Sequence, residues 1–164
     1  AASPCDRERL ALARSLNAEA DRLAWRTDPG AFRKLAQAAA FDWGVAWRAD
    51  SWPRIEAGLD RLSALARAHG FRAAVLAFPV VYQVEAEIVE RSPQEALAQR
   101  AASRELPFLD LLPALRRDAG PGVFLDQCHL DARGHEVVSQ AVRDFLLREG
   151  LLSPPSRPSA PAAS

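Results

Sequence analysis

The sequence predicts an α/β protein, read as one end of a three-layer α/β/α sandwich. Two short apolar segments, 71–78 (FRAAVLAF) and 107–110 (PFLD), stand between amphipathic stretches. The resulting order is helix, strand, helix, strand, helix. The nearly continuous apolar character of 71–78 is that of a buried parallel strand.

The elements follow in order. Leu10, Leu12, Leu16, Ala20, Leu23 and Ala24 set a stripe of about 3.6 residues and predict a helix over 6–26. Asp28-Pro29-Gly30 predicts a turn. Phe32, Leu35, Ala39, Trp43 and Trp47 predict a helix over 31–48, with Gly44 weakening its later half. Asp50-Ser51 offers an N-cap and Pro53 a first-turn proline. The stripe Ile55, Leu59, Leu62, Leu65, Ala66 then runs to His69-Gly70, where glycine closes the helix and His69 suits its dipole. Pro79 ends the first strand. Residues 83–104 read mostly as helix with a break at Ser92-Pro93. Leu111 to Arg117 reads as a short helix, 119–122 as a loop. Asp131 can cap a last helix that buries Val137, Val138, Ala141, Val142, Phe145 and Leu146.

Two strands are few for a free-standing α/β domain, and the N-terminal third is all helix. The chain has no methionine, not even at position 1. The expectation is a piece of a longer protein or a processed N-terminus, with upstream strands missing. Residues 1–152 read as the C-terminal portion of a domain, helical over 1–50 and α/β over 51–152. The tail 153–164 (SPPSRPSAPAAS) has nothing to bury and is expected to be disordered.

Composition excludes some functions. The 21 basic and 21 acidic residues cancel, so no field steers the chain toward nucleic acid or an anionic membrane. No run approaches the roughly 20 apolar residues of a membrane span. Cys5 and Cys128 are too few for a disulfide framework, although one bridge between them is open. No cofactor is expected.

The chemistry lies in 124–137, Phe-Leu-Asp-Gln-Cys-His-Leu-Asp-Ala-Arg-Gly-His-Glu-Val. Asp126 and His129 stand three apart in a loop before a helix. In a turn, that spacing puts both side chains on one side. A carboxylate beside Nδ1 selects the imidazole tautomer and leaves Nε2 to take a proton from a nucleophile. The plain alternative is a loop aspartate bonding backbone and a surface histidine. Asp126, Cys128, His129 and His135 match no strong zinc spacing, so no metal is expected. Cys128 beside His129 is also disfavoured as a nucleophile, because adjacent residues in extended chain point apart. His135 is expected to pack or hydrogen-bond. The tryptophans at 25, 43, 47 and 52 are expected to pack in the core or between helices, the alternative being an aromatic patch that faces a ligand or partner. Tyr82 is expected to pack near the strand end, the alternative being a place in the pocket lining.

Asp-x-x-His followed by Asp-Ala-x-Gly-His-x-x-Val resembles the last block of SGNH hydrolases, the GDSL-type esterases and lipases. Residues 106–111 resemble that family's late strand and turn, and 71–79 the strand before it. The resemblance covers roughly residues 51–150. It implies a flavodoxin-like sandwich and hydrolysis of a small-molecule, carbohydrate or lipid ester through an acyl-enzyme. It also implies Asp126 and His129 as two members of a Ser-His-Asp triad. The family's Gly-Asp-Ser nucleophile block and its glycine and asparagine oxyanion donors have no counterpart. Asn17 lacks a Gly-x-Asn context, and Ala49-Asp50-Ser51 lacks the glycine and the leading strand. The expectation is an esterase whose serine lies upstream. The alternative is a non-catalytic α/β binding or interaction module without the serine block.

Overall fold

The computed structural model describes residues 15–152 apart from Asn17. The readings made on Cys5, Leu10, Leu12, Asn17 and the tail 153–164 lie outside the described residues.

Helix covers 18–22, and the chain then turns, with the Asp28 N–H donating to Ala24 O at 2.9 Å. Helix α1 (Pro29–Ala38) starts where a turn was expected. Asp28 is its N-cap, accepting from the Gly30 N–H at 2.7 Å, and Pro29 occupies the first turn, where its missing donor costs nothing. Its buried face is Ala31, Phe32, Leu35 and Ala36.

The helix stops ten residues short of the expected 48. The chain reverses through Ala39–Asp42 into the 3₁₀ segment Trp43–Trp47, with the Gly44 N–H donating to Ala39 O at 3.0 Å. A side chain at Gly44 would collide with the Ala36 carbonyl oxygen and stand 2.8 Å from that of Ala39. Glycine is therefore required for this close approach.

A second 3₁₀ turn, Ala49–Ser51, leads into α2 (Trp52–His69). Ser51 does not cap α2 with its side chain; its hydroxyl donates back to Arg48 O at 2.7 Å. Leu59 is buried, but Leu65, expected on the same stripe, is exposed. Gly70 closes α2 at φ +69°, the left-handed conformation expected of it.

Strand β1 (Val75–Ala77) is shorter than 71–78 and is half-buried rather than buried, with Phe71 and Phe78 exposed. It pairs in parallel with β2 (Phe108–Asp110), Val75 facing Phe108 and Ala77 facing Asp110. The helical stretch after β1 is interrupted at Ser92-Pro93 as expected, into α3 (Val81–Glu85) and α4 (Ser92–Ala102), with residues 86–91 outside either helix. Buried Gln83 and Gln94 exchange amide hydrogen bonds of 3.0 Å across the gap, and Gln83 also donates to Glu90 O at 2.7 Å. These bonds hold residues 86–91 out of a helix. After β2, α5 (Leu112–Ala114) widens into a π turn over Leu115–Ala119. The last helix is α6 (Ala132–Arg148).

The described residues thus carry the expected α/β alternation on a two-stranded parallel sheet. Two strands do not draw a three-layer sandwich, and that arrangement stays an expectation. Among the described residues helices outnumber strands, and none of these helices is long and apolar enough to cross a membrane.

Three apolar clusters hold these elements. Phe32, Leu35, Trp25, Trp43 and Tyr82 form the first. In it Tyr82 stacks on Trp43 at 5.0 Å and meets Trp25 edge-on at 5.1 Å, so Tyr82 packs, as do these two tryptophans. Leu111, Leu112, Leu115, Val123, Leu130 and Val138 form the second, under the Asp126–His129 loop. Leu59, Ala101 and Leu106 join α2 to α4 in the third.

Candidate active site

The loop is built on two buried residues. Val123 and Leu130 are 1% and 6% exposed, and Phe124 and Leu130 form an antiparallel bridge. The Asp131 N–H donates to Val123 O at 2.9 Å, and the Leu125 N–H to His129 O at 2.7 Å. Burying the two ends drives the intervening residues outward. Leu125, Asp126, Cys128 and His129 are exposed.

The start of α6 clamps the same loop. Asp131 caps the helix by accepting from the Gly134 N–H at 2.8 Å. Gly134 is buried against the loop; a side chain there would come within 2.9 Å of Leu130 Cδ2 and 3.1 Å of Val123 O. The Asp-Ala-x-Gly run therefore encodes a cap followed by a close contact.

Asp126 organises the turn. Its Oδ1 accepts from the backbone N–H groups of Cys128 at 2.9 Å and His129 at 2.8 Å. Its Oδ2 lies 2.7 Å from His129 Nδ1. The Cys128 N–H, foremost, and then the bonds from His129 hold the Asp126 carboxyl down to about 2, against a desolvation that pushes it up. The side chains of Asp126 and His129 are 43% and 73% exposed, so solvent screens the pair. The geometry makes Nδ1–H the donor to Asp126 and leaves Nε2 directed away from it. Among the described residues no group hydrogen-bonds to Nε2.

Two contacts tie the loop to the start of α3 and to the turn after α1. The Val81 N–H, at the start of α3 just after β1, donates to Gln127 O at 2.9 Å. Gln127 Nε2 donates to Asp42 Oδ2 at 3.1 Å. The dyad thus stands beyond the carboxyl end of β1, where ligands of open parallel sheets bind.

Other expected positions differ. Cys128 Sγ lies 3.6 Å from His129 Nδ1, although adjacent residues were expected to point apart. The Asp126 turn is not extended chain, and it folds the two side chains together. As a nucleophile the thiol remains unsuited: burial first, then the Asp126 charge, push its pKa up, and Nδ1 already faces the carboxylate. His135 is exposed and makes no side-chain hydrogen bond among the described residues, because Gly134 takes the buried position of that turn. His69 ends α2 on the surface. The Ser51 hydroxyl is spent on Arg48 O.

Sequence reading missed Asp110. It ends β2 with its side chain 9% exposed, accepts from the Leu112 N–H at 2.9 Å, and has Arg91 Nη2 at 3.2 Å. Burial pushes its carboxyl up, against the pull of Leu112 and Arg91. The Arg91 approach has the distance of an ion pair but not hydrogen-bond geometry, and Asp110 Oδ2 has no hydrogen-bond partner among the described residues. Its place at a strand's carboxyl end was the available signal. Near β1, Trp43, Trp47, Trp52, Ile55, Leu76 and Phe78 line an open groove of about 370 Å³. Trp43 Nε1 is buried and has no hydrogen-bond partner among the described residues.

The chain matches no protein-family model, no curated protein and no solved structure.

Proposed function

We propose that Asp126 and His129 are the acid and base of an ester hydrolase of the SGNH type, completed by a serine outside this sequence. The observation that carries the reading is the 2.7 Å contact between Asp126 Oδ2 and His129 Nδ1, with Asp126 Oδ1 gripped by two backbone N–H groups and no hydrogen bond to Nε2 among the described residues. In this reading Asp126 keeps the proton on Nδ1 and stabilises the imidazolium. His129 Nε2 takes the proton of the serine hydroxyl as it attacks the ester carbonyl, then returns it to the leaving alcohol. Water repeats the cycle on the acyl-enzyme. The substrate class is a small-molecule, carbohydrate or lipid ester.

The 164 residues carry no Gly-Asp-Ser block and no Gly-x-Asn donor, so in this reading the chain alone is expected to be inactive. Extending the coding frame upstream and following p-nitrophenyl ester hydrolysis tests the proposal. His129→Ala in the extended protein is expected to lower kcat by about 10³-fold or more. A folded extended protein that is inactive, or active and indifferent to His129→Ala, would overturn it. The open groove lined by Trp43, Trp47, Trp52, Ile55, Leu76 and Phe78 is what favours the second reading, a non-catalytic binding module.

A further inference from the structure

The loop that carries the dyad also carries a thiol. Cys128 Sγ lies 3.6 Å from His129 Nδ1, and Nδ1 lies 2.7 Å from Asp126 Oδ2. One ligand atom from each of the three residues lies within 4.8 Å of the other two. We propose that Asp126, Cys128 and His129 form a three-ligand site for a divalent cation of the zinc class, with its fourth position open to water. Occupation of this site and operation of the dyad exclude each other.

The distances suit such an ion. Tetrahedral zinc, with bonds of about 2.3 Å to sulfur and about 2.0 Å to nitrogen, sets those two ligands about 3.6 Å apart. That separation is already present. The nitrogen and carboxylate ligands of one ion stand about 3.3 Å apart, so the Asp126 oxygen must retreat by about 0.6 Å. The side chain is nearly half exposed and has room to move. Asp126 Oδ1 already holds the Cys128 and His129 backbone N–H groups, which orients the carboxylate before an ion arrives. A thiolate, an imidazole and one carboxylate select a borderline ion over magnesium or calcium, which take oxygen ligands. All three residues are exposed, so the ion enters without opening the core.

The exclusion follows from the proton on Nδ1. The dyad needs that proton, donated to Asp126, with the Nε2 lone pair free. A metal on Nδ1 moves the proton to Nε2 and draws Asp126 away. The Cys128 thiol gives its proton to the buffer, so one proton is released per ion bound. Inhibition by the ion rests on the hydrolase reading; binding of the ion does not.

The test uses the 164-residue chain, reduced and stripped with a chelator that is then removed. Zn²⁺ is titrated by calorimetry and Co²⁺ by absorption. One equivalent of each is expected, with a thiolate-to-cobalt charge-transfer band. Cys128→Ser should remove the band and weaken Zn²⁺ binding about tenfold or more. His129→Ala should weaken Zn²⁺ binding by a similar factor, while Cys5→Ser, His69→Ala and His135→Ala should retain both signals. Urea midpoints of the variants, taken without metal, separate lost ligands from lost fold. No Zn²⁺ binding at about 100 μM, or a cobalt band that survives Cys128→Ser, would overturn the site. So would loss of binding in the His69 or His135 variant. None of these readouts depends on esterase activity.

Discussion

Replacing Asp126 by asparagine removes a charge that three donors hold. Its pKa falls from 3.8 to about 2, chiefly through the Cys128 N–H. Such a fall corresponds to about 2.4 kcal/mol of preference for the charged form in the folded chain. With the side chain 43% exposed, solvent screening reduces the contribution to stability to about 1 kcal/mol. The sign follows from the direction. A carboxyl depressed on folding stabilises above its unfolded value, and that stability is lost as pH falls through the folded value. Urea unfolding of the parent and Asp126→Asn, in chelator-containing buffer from pH 7 to pH 2, measures it. The parent should be more stable by about 1 kcal/mol at pH 7. The gap should close between about pH 4 and about pH 2. A gap that is absent at pH 7, or unchanged down to pH 2, would refute the reasoning.

Three further substitutions probe the scaffold. Gly44→Ala drives a methyl into the Ala36 and Ala39 carbonyls and is expected to cost about 3 kcal/mol or more, read as a lowered thermal midpoint. Leu111→Ala, at a fully buried residue beneath the dyad loop, should cost about 2–5 kcal/mol by urea titration. Asp131→Ala removes the cap of α6 and should cost about 1 kcal/mol, with amide exchange at Gly134 accelerating before that of the helix centre.

Much of the scaffold is legible where one local rule decides. The stripe of Ile55, Leu59 and Leu62 and the glycine at 70 give α2 and its end. Asp131 and the apolar spacing after it give α6. The Asp126–His129 pair is legible because a carboxylate three residues before a histidine closes a turn on backbone donors. The failures lie where distant contacts decide. Asp28-Pro29-Gly30 has the composition of a turn and also that of a capped helix start, and the burial of Phe32 and Leu35 selects the second. The early end of α1 depends on Gly44 packing against Ala36 and Ala39, which no periodicity shows. The break at Ser92-Pro93 is legible, but the length of the gap before it depends on Gln83 and Gln94 bonding each other while buried. Cys128 meets His129 only because the Asp126 turn bends the chain, and zinc spacing patterns do not describe such a turn. His135 was expected to be held, but the contact at that turn belongs to Gly134.

The most direct test of the account is a double-mutant cycle on p-nitrophenyl ester hydrolysis in the upstream-extended protein, with His129→Ala, Asp126→Asn and the pair. If the two residues act as one acid–base unit, the double variant should be no slower than His129→Ala alone, because Asp126 works only through His129. If their losses multiply, or if His129→Ala retains the parent rate, Asp126 and His129 are not the dyad of a hydrolase.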